Sequence, residues 1–206
     1  MACLSGGPVL HVRSLGDLPI LNLANGPVRH PDCCLSLSSK LLTILADIFP
    51  RSSPPSSTVL SVGSGSGLLE ALLFNYAQNT LNVEGVEVHQ QDDTEVNRYL
   101  PEPCYHTVRG TWDLSPRLRD ADVGGLMFVY PRQVGLVRRY VEAASSLQAQ
   151  HVRHIVWLGP QADWADFKVA FAGVRDPEMW KMGMLSGEEA GLEEFEMMAI
   201  LQRSGN

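Results

Sequence analysis

Three glycines stand at every second position in the stretch TVLSVGSGSGLLEALL, which covers residues 58–73. Gly63, Gly65 and Gly67 follow a short apolar run and precede a longer one, so they fall where a strand is expected to turn into a helix. Glycine takes positive φ angles without steric cost, and the first turn of a helix offers unpaired N–H groups. Two classes of ligand fit such a backbone: dinucleotides, and nucleosides that carry a charged tail.

The spacing of the glycines favours the second class. A dinucleotide fingerprint GxGxxG that begins at Gly63 needs its third glycine at position 68, which is Leu68. Glu87 follows Gly67 by twenty residues and lies at the end of the segment NVEGVEV. A carboxylate at that point can accept both hydroxyls of a ribose, a chemistry that dinucleotide enzymes share. The turn and the carboxylate together predict a nucleoside site.

The composition limits the class of protein. The chain has 206 residues, of which 45% are hydrophobic, and this predicts a single globular domain with a sizeable core. Its net charge of −7 disfavours nucleic acid as a partner, because phosphate binding needs clustered Lys and Arg. No apolar run approaches the roughly 20 residues of a membrane-spanning helix, and the N-terminus lacks a secretory pattern. We therefore expect a cytoplasmic protein without membrane contact.

The four cysteines and six histidines do not form a metal-binding pattern. No CxxC pair occurs, and the adjacent Cys33 and Cys34 cannot readily share one tetrahedral ion. His151 and His154 have no carboxylate or thiol nearby at ligand spacing. We expect reduced thiols and no metal site.

Strand and helix patterns alternate after the Ser/Pro-rich connector at 50–57, and a leucine-rich segment at 35–49 predicts an amphipathic helix before it. The acidic run GEEAGLEEFE is expected to form a solvated loop and strand edge. Predicted strands cover 58–62, 82–88, 104–110, 124–130 and 152–159; predicted helices cover 67–79, 133–147 and 163–173, the last with a glycine cap; and 178–185 with 194–203 predict an antiparallel hairpin. The fold class is α/β, a doubly wound and mostly parallel seven-stranded sheet.

The motif S-V-G-S-G-S-G resembles the first motif of the class I S-adenosylmethionine-dependent methyltransferases. Five strand–helix units closed by an antiparallel hairpin are similar to that family's seven-stranded sheet across roughly residues 35–203. The resemblance implies transfer of a methyl group from S-adenosyl-L-methionine to an acceptor. The cofactor contacts it implies are Ser61, Gly63, Ser64, Gly65, Gly67, Glu87, Val88, Trp112 and Asp113.

Four side chains outside the glycine turn receive roles from this resemblance. Trp112 would cover the adenine and Asp113 would accept from its amino group; the alternatives are a core anchor and a loop or capping residue. Tyr130 ends the fourth strand, near the reactive methyl group, or is a half-buried core residue. His30, in the N-terminal segment, would face the substrate or lie in a surface loop. Tyr130 and His30 are the predicted catalytic residues.

Ser61 departs from the family pattern, which usually has Asp or Glu two residues before the first glycine. Serine keeps a hydrogen-bonding oxygen but loses the charge, at an expected cost of about 1–2 kcal/mol of attraction to a cationic cofactor. Three functions stay open. One is a methyltransferase acting on an N, O or S atom of a small molecule, and another is a catalytically degenerate protein that binds or regulates. The third is a nucleotide-dependent oxidoreductase, which Leu68 disfavours.

The expected organisation is an N-terminal segment with one helix on the substrate side (1–57) and a cofactor-binding core (58–206), together one domain. Nearly all of the chain is predicted to form the sheet and its helices, so few residues are left for a separate substrate domain. Two alternatives follow: a small acceptor, or a pocket completed by a partner or by a second subunit in a homodimer.

Overall fold

The computed structural model describes residues 18–49, 58–78, 80–89, 96–146, 149, 151–174 and 177–204. The strands are β1 (Val28–His30), β2 (Cys33–Leu37), β3 (Thr58–Val62), β4 (Asn82–Val88), β5 (Tyr105–Val108), β6 (Val123–Val129), β7 (His154–Pro160), β8 (Trp180–Ser186) and β9 (Glu196–Arg203). The helices are α1 (Ser39–Ile48), α2 (Leu68–Tyr76), α3 (Val134–Ala144), α4 (Gln161–Phe171) and α5 (Gly187–Ala190). Within these residues no helix combines the length and apolar character needed to cross a bilayer.

Seven strands form one sheet in the order β5-β4-β3-β6-β7-β9-β8. The first five of these pair in parallel, and β9 pairs antiparallel with both β7 and β8. β3 is buried along its whole length, as expected for a central strand that is covered on both faces. The predicted fold class, a doubly wound and mostly parallel seven-stranded sheet with a C-terminal antiparallel hairpin, is confirmed by this strand order.

The helices cover the two faces of the sheet. α1, α2 and β2 pack on one face through buried leucines, and α3 and α4 pack on the other. Trp157 of β7 is fully buried, and its ring lies 5.2 Å from that of Trp164 and 5.6 Å from that of Phe167. Trp157 and Phe167 are core residues, and Trp164 is partly buried against them.

The N-terminal segment differs from its prediction. Residues 28–30 and 33–37 form an antiparallel hairpin, whereas positions 35–37 were predicted to lie in the first helix and no strand was predicted before them. The helix begins later because Ser38 caps it, its side chain accepting a hydrogen bond from the Leu41 N–H. Leu37 fits the helical spacing of the leucines that follow, which concealed the strand.

Three further predictions are corrected. Among the described residues, the β4–β5 and β5–β6 connections hold only 3₁₀ turns, at Glu102–Cys104 and Pro116–Arg119, so not every strand is followed by an α-helix. α4 begins immediately after β7 and ends in a right-handed C-cap at Ala172 rather than at a glycine. The acidic run contains α5, whose capping box joins Ser186 and Glu189.

Candidate functional site

The turn between β3 and α2 carries all three glycines in the left-handed region. The φ angles are +83° at Gly63, +56° at Gly65 and +79° at Gly67. A Cβ built at Gly63 or Gly65 would meet no atom within 4 Å, whereas one at Gly67 would lie 2.8 Å from Leu100 Cγ. The first two glycines therefore border open space, and the third is packed against the protein.

Ser64 lies between these glycines and packs against β4. Its hydroxyl oxygen is buried and has no hydrogen-bond partner among the described residues. A Cβ at Gly85 would collide with Ser64 and with Leu100, so the absence of a side chain at position 85 lets the turn sit against β4. The isolated glycine in NVEGVEV signalled such a close approach in the sequence.

The turn and the carboxylate at the end of β4 lie together, as predicted. Glu87 Oε1 accepts a hydrogen bond of 2.5 Å from the Gly65 N–H, and Oε2 accepts one of 3.3 Å from the Val88 N–H. The Val88 side chain is half-buried against the apolar layer of α3 and α4. The contact of Glu87 with a ribose stays a prediction.

A second carboxylate, missed by sequence reasoning, lies behind the turn. Ser61 is fully buried at the end of β3, and its hydroxyl donates a 2.6 Å hydrogen bond to Glu70 Oε1. Glu70 is only 1% exposed, and this burial raises the pKa of its carboxyl group to about 7. An acid within the apolar run LLEALL was the available signal, because such a run predicts a buried helix and charged residues are almost never fully buried unless they are paired.

The loop after β5 holds Trp112 and Asp113 at the same edge of the sheet. Trp112 is 63% exposed and lies over Gly110, so it is not a core anchor. Asp113 forms an ion pair of 2.9 Å with Arg109, and the hydrogen bonds from Arg109 keep the pKa of Asp113 below its usual value. The adenine contacts proposed for these two side chains stay predictions.

Tyr130 follows β6 in an unusual conformation. Its φ is +47°, although it is neither glycine nor asparagine. Its N–H donates to the Leu158 carbonyl at 2.8 Å, and its hydroxyl donates to Glu196 Oε1 at 2.6 Å. Burial, followed by the hydrogen bond to Glu196, raises the pKa of the Tyr130 hydroxyl. The backbone and side-chain contacts together hold the strained conformation.

Glu196 corrects the expectation that the acidic run is solvated. It is fully buried and accepts hydrogen bonds from Tyr130, from the Ser36 hydroxyl, and from the Ser36 N–H at 3.3 Å. This carboxylate therefore joins β2, the end of β6 and the start of β9. Sequence reasoning missed it because the neighbouring acids at positions 188, 189, 193 and 194 suggested a solvated loop.

His30 lies in β1, where its Nδ1 accepts a 3.2 Å hydrogen bond from the Asp32 N–H. Beside it, the Arg29 guanidinium lies 5.5 Å from the Phe195 ring centroid. The turn of the hairpin also meets the glycine turn, because the Ser66 hydroxyl donates to the Asp32 carbonyl at 2.6 Å. Within the described part of the chain, no hydrogen bond joins His30 to Tyr130, and the catalytic role of both stays a prediction.

The comparisons with known proteins give structural similarity only. No protein-family model matches the chain, and no curated protein is significantly similar to it in sequence. Solved structures that resemble it include cofactor-bound Rv0187 from MTB, at 15% identity and TM-score 0.49 over 81% of this chain and 78% of that one. The ribosomal protein L11 methylase from Lactobacillus delbrueckii subsp. bulgaricus is also similar, at 12% identity and TM-score 0.45 over 88% and 83%.

A third similar structure is the precorrin-6y C5,15-methyltransferase from Geobacter metallireducens GS-15, at 13% identity and TM-score 0.45 over 82% of this chain and 89% of that one. At these identities and TM-scores, the similarity does not bear on the activity or the acceptor of this chain. Its fold class rests on its own strand order.

Proposed function

We propose that this protein binds S-adenosyl-L-methionine at the Gly63–Gly67 turn and transfers its methyl group to a small-molecule acceptor. The observation that carries the proposal is the geometry of this turn: three left-handed glycines follow the central strand, two of them border open space, and Glu87 lies 2.5 Å from the Gly65 nitrogen. This combination suits a ligand that presses against backbone and offers hydroxyl groups to a carboxylate.

The residues of the site fit an adenosyl cofactor. Glu87 would accept the ribose hydroxyls in place of its present hydrogen bond from Gly65. Trp112, exposed on the neighbouring loop, would cover the adenine, and Asp113 would accept from its amino group. The Ser64 hydroxyl, buried without a partner among the described residues, is a further polar group beside the turn.

S-adenosyl-L-methionine supplies a methyl carbon on a sulfonium, so the acceptor's lone pair forms the new bond while the S–C bond breaks to leave a neutral thioether. The protein's part is to hold the acceptor in line and exclude water. Tyr130 is a poor base at neutral pH because its hydroxyl is hydrogen-bonded to Glu196 and its pKa is raised. An acceptor that needs no base, such as an amine or thiol, therefore suits this site best.

Two features support a small acceptor over a nucleic acid. The chain carries a net charge of −7, which opposes binding to a phosphate backbone. The described chain outside the sheet and its covering helices consists mainly of the β1–β2 hairpin and short loops, which favours a small acceptor.

Titration calorimetry with S-adenosyl-L-methionine and with S-adenosylhomocysteine tests the cofactor. We expect both to bind with micromolar dissociation constants, and reduced nicotinamide dinucleotide, as the control ligand, to give no heat. The absence of heat up to millimolar concentrations of either adenosyl compound would overturn the proposal.

A degenerate binding protein is the second candidate. It is favoured because both predicted catalytic side chains are already engaged: the Tyr130 hydroxyl donates to Glu196, and His30 Nδ1 accepts from the Asp32 N–H. Incubation with S-adenosyl-L-methionine carrying a labelled methyl group, in the presence of cell extract, separates the two candidates. Label in the fraction below a few kilodaltons supports the small-molecule methyltransferase. Label only in protein or RNA contradicts the small acceptor, and cofactor binding without any transfer favours the second candidate.

A further inference from the structure

A buried acidic side chain stands in the first helical turn after the glycine turn. Glu70 is in the first turn of α2, three residues after Gly67, and it is 1% exposed. Its carboxylate reaches back to the end of β3, where Ser61 donates to it at 2.6 Å. The pair therefore spans the two elements that the turn connects, and it lies on the side of the sheet that α2 covers.

No cation neutralises this carboxylate within the described part of the chain. None of the ion pairs formed there involves Glu70, and the nearby ionisable groups that act on it add no positive charge. Glu87 of β4 repels it, and Cys33 of β2 remains a neutral thiol because burial raises its pKa to about 12. A buried carboxylate without a counter-ion is costly, and a ligand that brings a positive charge would remove part of that cost.

We propose that the Ser61–Glu70 pair receives the ammonium group of the cofactor's amino-acid tail; this inference rests on the proposed function. Ser61 gives its proton to the hydrogen bond with Glu70, which leaves the lone pairs of its oxygen free to accept from an ammonium N–H. Glu70 then places a negative charge directly behind that oxygen. The charge that is missing at position 61 is thus supplied from the following helix, and Ser61 and Glu70 act together as one anionic group.

The test compares two adenosyl ligands on the full-length protein. S-adenosylhomocysteine carries the amino-acid tail, and 5′-methylthioadenosine has the same nucleoside without it. We expect Glu70→Gln, which keeps the shape and the hydrogen bond to Ser61, to weaken binding of S-adenosylhomocysteine at least tenfold. Binding of 5′-methylthioadenosine should change less than twofold. Asp47→Asn, at an exposed position of α1, removes the same charge and should leave both dissociation constants unchanged.

A charge-relocation variant sharpens the test. Glu70→Ala should bind S-adenosylhomocysteine weakly, and adding Ser61→Asp to it should restore the dissociation constant to within about threefold of the original protein. Thermal melting of each variant without ligand reports whether the fold is intact.

The outcomes separate this inference from the proposed function. If the original protein binds S-adenosylhomocysteine and Glu70→Gln binds it equally well, the inference is wrong and the cofactor proposal stands. If Glu70→Gln loses both ligands to the same degree, Glu70 only shapes the turn and the inference is again wrong. If the original protein binds neither ligand, both proposals fall.

Discussion

Two glutamates of this protein are buried to the same extent, 1% exposed each, yet their surroundings are opposite. Glu84 in β4 accepts hydrogen bonds from Arg117 at 2.8 and 2.9 Å and shares one of 2.7 Å with His106. Glu70 in α2 accepts hydrogen bonds only from neutral groups of the described chain, the Ser61 hydroxyl and its own backbone N–H. One carboxylate is paired with an arginine and hydrogen-bonded to a histidine, and the other has no ion-pair partner among the described residues.

The pKa values show the consequence. Burial alone would raise the pKa of Glu84, but the hydrogen bonds from His106 and Arg117 lower it to about 2. Burial raises the pKa of Glu70 to about 7, because the hydrogen bond from Ser61 only partly offsets it. Burial by itself therefore does not decide whether an acidic side chain stabilises the fold or is available to a ligand. The hydrogen-bond and ion-pair partners of the carboxylate decide it.

The Glu84 cluster has a structural role that its contacts define. Arg117 also pairs with Asp120 at 2.6 Å and with Asp122 at 2.8 Å, and Asp122 accepts a 2.9 Å hydrogen bond from the Thr58 hydroxyl. These bonds tie the segment before β6 to β3 and β4. The glycine turn lies at the opposite ends of the same strands, where Ser66 is hydrogen-bonded to Asp32 and Arg98 pairs with the Asp32 carboxylate.

The largest effect is expected from removing the cation of the Glu84 cluster. Arg117→Met should lower the free energy of unfolding by about 3–5 kcal/mol, since it leaves Glu84 and Asp122 without their main partner. Urea denaturation measures the change. Arg119→Met, two residues away and exposed, is the matched control and should change stability by about 0.5 kcal/mol or less. Equal effects of the two substitutions would show that the cluster contributes nothing beyond surface charge.

Glu70→Gln should stabilise the protein, in contrast to Arg117→Met, and the gain should depend on pH. Between about pH 4.5 and 7 the folded chain keeps a proton on Glu70 that the unfolded chain loses, so Glu70 lowers stability increasingly as pH rises through this range. The groups that face it are Ser61, Glu87 and the neutral thiol of Cys33.

The stabilisation by Glu70→Gln should be on the order of 2–3 kcal/mol at pH 8 and near zero at pH 4.5. Urea denaturation of both proteins at the two pH values checks it. If Glu70→Gln is more stable and binds S-adenosylhomocysteine more weakly, Glu70 serves ligand binding at a cost in stability. A loss of stability at pH 8 would show instead that Glu70 stabilises the fold, as Glu84 does.

A smaller effect is expected from a methyl group in the turn itself. Gly65→Ala should cost about 1 kcal/mol of stability, because φ is +56° there although the space for a Cβ is open. Gly135→Ala in α3 also enters open space, but its backbone is helical, so this control should stabilise by up to about 1 kcal/mol. Thermal melting compares the two, and a shift of the same sign in both would contradict the strained turn.

Most of the sheet could be predicted because its strands are short apolar runs bounded by turn residues. The strands β3, β4, β6 and β7 lie within one or two residues of their predicted bounds, and the C-terminal hairpin was anticipated from the lack of a crossover helix. The β1–β2 hairpin was missed, since Leu37 in β2 matches the period of the helix that follows. The secondary structure of that region depends on pairing between two segments, and the periodicity of one segment does not show with which other segment it pairs.

The candidate site was predicted where backbone conformation or strand position was the signal. Gly63, Gly65, Gly67 and Glu87 lie together because the carboxyl ends of neighbouring parallel strands share one edge. Glu70 and Glu196 were not predicted, because an acid in a sequence is presumed solvated until its neighbours are known.

The sequence by itself determined the alternation of apolar runs, the glycine turn after β3 and the glutamate at the end of β4. Only the tertiary structure decided which carboxylates are buried away from water and which groups form hydrogen bonds or ion pairs with them. Desolvation and pairing depend on distances between segments far apart in the chain: Ser36 meets Glu196 and Arg117 meets Glu84 only after the sheet has assembled. The charge of each buried acid is therefore a property of the fold and not of its position in the chain.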